Sequence, residues 1–184
     1  HKGVVLDLRG NPGGFTETLD RLVAGMFQND LKIYDRVGRD STKSVTVSGR
    51  HQNAFTGRMV VLVDSASASA SELFARILQL KKRAFIMGDR SAGMVMEART
   101  YPHELIVDTH TFYGAEISNS DLLMADGKSL EHTGVEPDIL ILPTADDLAA
   151  GRDPVMAKAA GLVGVKMTGE EAGSMFPPEK DSKD

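Results

Sequence analysis

The sequence predicts an α/β fold, a mixed β-sheet flanked by helices, on three observations. Short apolar runs at residues 4–8, 59–63 and 84–87 read as strands buried on both faces. Two stretches carry a helical period: Leu19, Leu22, Val23, Met26 and Phe27 share one side of the first, and Leu73, Phe74, Ile77, Leu78 and Leu80 one side of the second. Strands and helices alternate through the first half of the chain, the order that lays helices against a sheet.

Each element follows from its residues in turn. The strand at residues 4–8 ends in Arg9-Gly10-Asn11-Pro12-Gly13-Gly14, a run that permits unusual backbone angles, and a helix starts near Thr16. Alternating stretches at 31–37 and 43–48 around Gly38-Arg39-Asp40 read as a hairpin. The central strand runs through Val63 into a helix that stops near Lys81-Lys82-Arg83, where cations complement its negative end. Residues 94–117 read as short strands, Leu122 to Gly127 as a strand and hairpin turn, and 139–142 as a further apolar run. A last helix is expected with Asp153 as cap and Pro154 in its first turn. The resulting division is a core over residues 1–150, a helical extension over 151–175 and a polar, disordered tail over 176–184.

Composition excludes several function classes. A length of 184 residues suits one full-sized core. A net charge of −5 leaves no basic stripe, so nucleic acid is not an expected partner. No apolar run is long enough to cross a bilayer. With no cysteine there is no disulfide, thiolate metal site or cysteine nucleophile, and no His, Asp and Glu set has metal-ligand spacing, so neither metal nor cofactor is expected. Gly10 to Gly14 lacks the Gly-Lys-Ser/Thr ending of a phosphate loop and the spaced glycines of a dinucleotide site. Its glycines suit a different use, presenting backbone N–H groups to an anion.

The stretch Val63-Asp64-Ser65-Ala66-Ser67-Ala68-Ser69-Ala70-Ser71-Glu72 carries the candidate chemistry. A strand turning directly into a helix lifts one side chain to the sheet's rim and leaves the helix's first N–H groups unpaired. Such a place suits a nucleophilic serine whose oxyanion those amides hold. The same residues also read as plain helix capping, with Glu72 completing a capping box.

Four motifs then stand in order: Leu6-Asp7-Leu8-Arg9-Gly10-Asn11-Pro12-Gly13-Gly14, Ser67-Ala68-Ser69-Ala70-Ser71-Glu72, Gly88-Asp89-Arg90-Ser91-Ala92-Gly93 and Gly134-Val135-Glu136-Pro137-Asp138. Together they resemble the successive motifs of the S41 peptidases, the carboxyl-terminal processing proteases and their tricorn-like relatives. The resemblance implies a ClpP/crotonase-like core and serine endopeptidase chemistry on protein or peptide chains. By it, Ser69 is the nucleophile, and the amides of Ala70 and Gly14 form the oxyanion hole. The processing branch places a lysine base where this chain has Met94, which accepts no proton. The tricorn-like branch uses a histidine upstream of the first motif and a glutamate at the place of Glu131, to orient a partner or anchor substrate. That histidine would precede residue 1, since His1 lies too close to the first strand to match it. His132, beside Glu131, is the local alternative as base.

Asp7 and Arg9 share one face of the first strand's end and could brace the Gly13-Gly14 turn, and Asp138 reads as a turn anchor. The chain, starting without a methionine, reads as a piece of a longer protein. The resemblance points to the bacterial envelope for the processing branch and the cytosol for tricorn, with the envelope expected here, and it leaves oligomerisation open. A second reading is a domain of the same fold that binds peptides or ligands without cleaving them.

Overall fold

In the computed structural model, residues 2–106 and 109–175 are described. The tail expected over 176–184 and the position of His1 lie outside them. The α/β class is as read, with the strands divided between two four-stranded sheets.

The first sheet is parallel throughout: β1 (Gly3–Asp7), β4 (Arg58–Val63), β5 (Phe85–Gly88) and β8 (Ile139–Leu140) stand side by side in that order. Its central strand shows why these residues form it. Met59, Val61 and Val63 enter one apolar core and Val60 and Leu62 another, since successive strand residues point to opposite faces. The first core lies under α1 (Thr16–Met26) and α2 (Ala70–Leu80); the second lies under α4 (Pro154–Leu162) and α5 (Gly169–Met175). A short helix, α3 (Ala145–Ala149), links β8 to α4.

The second sheet is antiparallel, ordered β3 (Thr42–Val47), β2 (Leu31–Gly38), β7 (His110–Met124) and β6 (Glu97–Ile106). Ile33, Tyr34, Leu122 and Met124 carry it onto the α1–α2 core. The expected hairpin is β2–β3. In place of short strands over 94–117 there are two long ones. Their outer part, from Ala98 paired with Ser118 to Ile106 paired with His110, projects past the end of β2 as a two-stranded arm.

Two expected contacts go elsewhere. Arg9 does not brace the Gly13-Gly14 turn; it holds Asp7 at 2.6 Å and reaches Asp153 at 2.7 Å, fastening β1 to the N-terminus of α4. Asp153 also accepts from the Met156 amide at 2.8 Å, the expected helix cap. Arg83 closes its own helix only through its main chain, whose N–H donates to the Leu78 carbonyl at 2.8 Å. Its guanidinium donates to the carbonyls of Met26 and Phe55 and lies over the Phe55 ring, so the cation serves the C-terminus of α1.

Candidate active site

Three loops leave the C-terminal ends of adjacent parallel strands, 8–15 after β1, 64–69 after β4 and 89–94 after β5. That rim is where open α/β sheets hold their ligands. A fourth loop, 130–135, meets them there through His132 N–H to the Gly93 carbonyl, 2.8 Å, and Ser91 N–H to the Val135 carbonyl, 3.2 Å. The four sequence motifs therefore come together in space.

Ser69 sits where β4 gives way to α2, at φ 53° and ψ −121°. A non-glycine residue held in that region costs of order 1–3 kcal/mol, so the surroundings must impose it. They do so through its amide, which donates to the Met94 carbonyl at 2.9 Å and to Glu72 Oε2 at 3.0 Å. The Ser69 N–H is thus spent on the scaffold. The next amide, Ala70, is the first of the helix and has no partner among the described residues.

Glu72 does more than complete half of a capping box. It is fully buried, and its carboxylate accepts from Ser69 N–H, the Ser91 hydroxyl at 2.6 Å, Gly93 N–H at 2.7 Å and Met94 N–H at 2.9 Å. One side chain ties the serine turn to the third motif. Ser91 passes the connection on, accepting from Val135 N–H at 2.6 Å.

The first motif faces the serine through Gly13. A Cβ there would stand 2.7 Å from Ser69 Cβ and 2.9 Å from the Ala70 nitrogen, and its φ of +102° also favours glycine. Gly13 N–H is taken by the Asn11 side chain at 2.9 Å. Gly14 N–H has no partner among the described residues. Asn11 Oδ1 also accepts from the Ser71 hydroxyl at 3.0 Å, and the Asn11 carbonyl accepts from Ala68 N–H at 3.0 Å, pinning the two loops together. Ser67 bonds the Leu8 carbonyl at 2.7 Å. Ser67 and Ser71 therefore join loops rather than simply cap the helix. Asn11 and Ser91 were not singled out by sequence reasoning, although an asparagine two residues before a turn glycine is a known local bonding pattern; Gly13, expected to offer its amide to an anion with Gly14, spends it on Asn11 instead.

The remaining candidates separate. Glu131 does not touch the serine turn directly: its Oε2 accepts from Val95 N–H at 2.8 Å and Met96 N–H at 3.1 Å, fixing the main chain just past Met94. His132 is almost wholly exposed, 4.0 Å from Glu131 through Nε2. The Met94 side chain is exposed as well. Asp138 is the anchor expected of it, accepting from Ile86 N–H at 2.8 Å and Gln79 at 2.9 Å. No group of three His, Cys, Asp or Glu side chains could hold a metal among the described residues.

The model of peptidase family S41 matches residues 1–141, all four loops included. The chain belongs to peptidase family S41. It is 28% identical over 193 residues to the carboxy-terminal-processing protease of Bartonella bacilliformis, covering 100% of this chain and 42% of that protein. It is 29% identical over 143 residues to the carboxy-terminal processing protease CtpA of Bacillus subtilis, covering 75% of this chain and 28% of that one. The solved photosystem II D1 C-terminal processing protease superposes with a TM-score of 0.59 at 24% identity, over 76% of this chain and 34% of that one. The S41 chain described here thus spans less than half the length of these relatives. It shares the fold of the structural neighbour, and no helix among its described residues is long and apolar enough to cross a membrane.

Proposed function

We propose that this S41 domain is a serine endopeptidase acting on protein or peptide chains, with Ser69 as nucleophile. The observation that carries the reading is the local geometry. Ser69 is held in a strained turn against Gly13, and the next amide along each of the two loops, Ala70 and Gly14, has no partner among the described residues. Ser69 Oγ bonds to the scissile carbonyl carbon, and the charge that develops on its oxygen falls between the two amides. Each such donor is worth roughly 3–4 kcal/mol in a dry site. The hydroxyl proton passes through an imidazole base to the departing amine as the carbon–nitrogen bond breaks. Water then hydrolyses the acyl-enzyme by the same route.

The base is a histidine lying outside residues 1–184, preceding the first motif. Glu131 is the positioning residue for the segment after Met94, through the two amides it holds. The names of the relatives suggest action near a substrate's C-terminus. Resemblance to the processing branch suggests the bacterial envelope as the compartment.

The test is a fluorophosphonate probe on the protein at its full encoded length. Labelling should be strong and vanish in Ser69→Ala. Labelling unchanged by that substitution, or none at all, removes the assignment. A second reading, peptide binding without cleavage, draws on Met94, whose exposed thioether stands where the processing branch places a lysine. It predicts peptide affinity without labelling.

A further inference from the structure

Asn11 makes three hydrogen bonds that converge on the two loops carrying the unbonded amides. Its side-chain oxygen accepts from Gly13 N–H at 2.9 Å and from the Ser71 hydroxyl at 3.0 Å, and its carbonyl accepts from Ala68 N–H at 3.0 Å. The atom facing Gly13 must be Oδ1, because a backbone N–H can only donate. Taken alone, that bond is a local turn of the kind asparagine commonly closes. The other two are not local. They cross to residues that follow β4, and the longer spans 60 positions of chain. Ala68 and Ser71 stand immediately before and after Ser69 and Ala70. Asn11 therefore brackets the serine and the Ala70 amide, and it also fixes the residue before the Gly14 amide.

We infer that Asn11 is the positioning residue of the oxyanion hole, setting the separation of the Gly14 and Ala70 amides from one another and from Ser69. This rests on the reading of Ser69 as nucleophile. Three considerations select Asn11. The remaining ties between these loops, among the described residues, lie nearer the strand ends: Asp64 holds Gly10 N–H at 2.9 Å and Ser67 holds the Leu8 carbonyl at 2.7 Å. Those bonds fix where the loops leave the sheet, and only Asn11 reaches the residues on either side of Ser69. Ser71 is buried, so its hydroxyl has little access to water as a substitute partner. The acceptor is also neutral. A carboxylate of the same shape would take the same bonds and oppose the negative charge that develops on the attacked carbonyl.

An oxyanion donor contributes most once the carbonyl oxygen has gained charge, so misplacing it lowers kcat and leaves KM nearly unchanged. A displacement of about 1 Å is worth roughly 10²-fold. An asparagine that only closed a turn would lower stability and leave the turnover of folded protein as it was.

The experiment uses the protein at its full encoded length, a peptide that it cleaves, and the aldehyde of that peptide's acyl part. Once Ser69 has added to the aldehyde, the aldehyde oxygen takes the oxyanion's place. Asn11→Ala, folded by circular dichroism, should lower kcat by about 10²-fold with KM within about threefold of wild type. Aldehyde inhibition should weaken by the same factor as kcat. Ser71→Ala, which removes one of the two donors to Oδ1, should lower kcat by about tenfold. The double variant should be no slower than Asn11→Ala, because both changes break the same bond. Wild-type kcat in Asn11→Ala, a change in KM alone, or losses that multiply in the double variant overturns this inference. Fluorophosphonate labelling that still depends on Ser69 then leaves the nucleophile standing. Should Asn11→Ala fail to fold, Ser71→Ala decides, and an unchanged kcat there overturns the inference. Wild type that shows neither cleavage nor Ser69-dependent labelling overturns both.

Discussion

Gly13 is the tightest residue of the candidate site. Its missing side chain lets the first loop approach the serine turn, where a Cβ would strike Ser69 Cβ, the Ala68 carbonyl at 2.8 Å and the Ala70 amide. Two of those three obstacles are main chain, which cannot swing aside as a flexible side chain can. Gly13→Ala should therefore push the Gly14 amide away from Ser69 and lower kcat/KM by roughly 10²-fold or more, the scale of losing one oxyanion donor. Circular dichroism and Tm should change little by comparison, because the loop is at the surface. Gly14 differs: a Cβ there meets nothing within 4 Å, so its value is its amide and not its size. The sequence motif carries both glycines without distinguishing their jobs, and only the packing does. The same holds for Asn11, whose two contacts at the first and second motifs span 60 positions of chain in the longer case.

At the scale of elements, the clasp between β1 and α4 is the contact most exposed to pH. The Asp153 carboxyl sits below the usual carboxylate range. Burial alone would raise it, but the Arg9 guanidinium and the Met156 amide outweigh that. Arg9, partly buried between two carboxylates, is correspondingly held more firmly charged. A depressed carboxyl stabilises the fold above its unfolded value of about 3.9, and the stabilisation fades as the pH falls through the folded value. Asp153→Asn keeps a good cap and removes the ion pair. It should cost about 1–2 kcal/mol at neutral pH, and that penalty should shrink as the pH is lowered from about 5 to about 2. Thermal unfolding of both proteins across that range checks it. Most elements were legible from period and turn chemistry: β1, α1, the β2–β3 hairpin, β4, α2 and the Asp153-capped α4. The Arg9–Asp153 pair was not, because its partners stand 144 positions apart and each alone has a local use, Arg9 beside a turn and Asp153 as a helix cap. The β6–β7 arm was missed for another reason. Leu105, Ile106, Phe112, Tyr113 and Ile117 on it are all exposed, so no single buried face imposes an alternation that could be read.

Across the whole molecule, the site is assembled from loops that three parallel strands deliver to one rim, and one buried carboxylate holds the serine turn to the third of them. Glu72→Gln would replace an acceptor oxygen by a donor amide facing N–H and O–H groups that need acceptors. It should destabilise the protein by roughly 2–4 kcal/mol and weaken fluorophosphonate labelling as well. Chemical denaturation with labelling at each concentration reads both. Full stability with full labelling would mean that the loops hold together without it. The convergence of the first three motifs was legible in outline, since each ends or follows an apolar run, and the C-terminal ends of parallel strands necessarily share an edge. Which side chain lies at the centre was not, because Glu72 satisfies a capping pattern so well that nothing local calls for further partners.

Met94 supports Ser69 with its carbonyl oxygen alone, while its own side chain reaches into solvent. The serine's backbone setting therefore depends on where residue 94 runs and not on what it is. A proton-accepting group could be gained or lost at that spot by a single codon change, with no neighbour asked to repack. Scaffold and reactivity are inherited separately there, so the fold can outlive any one choice of base.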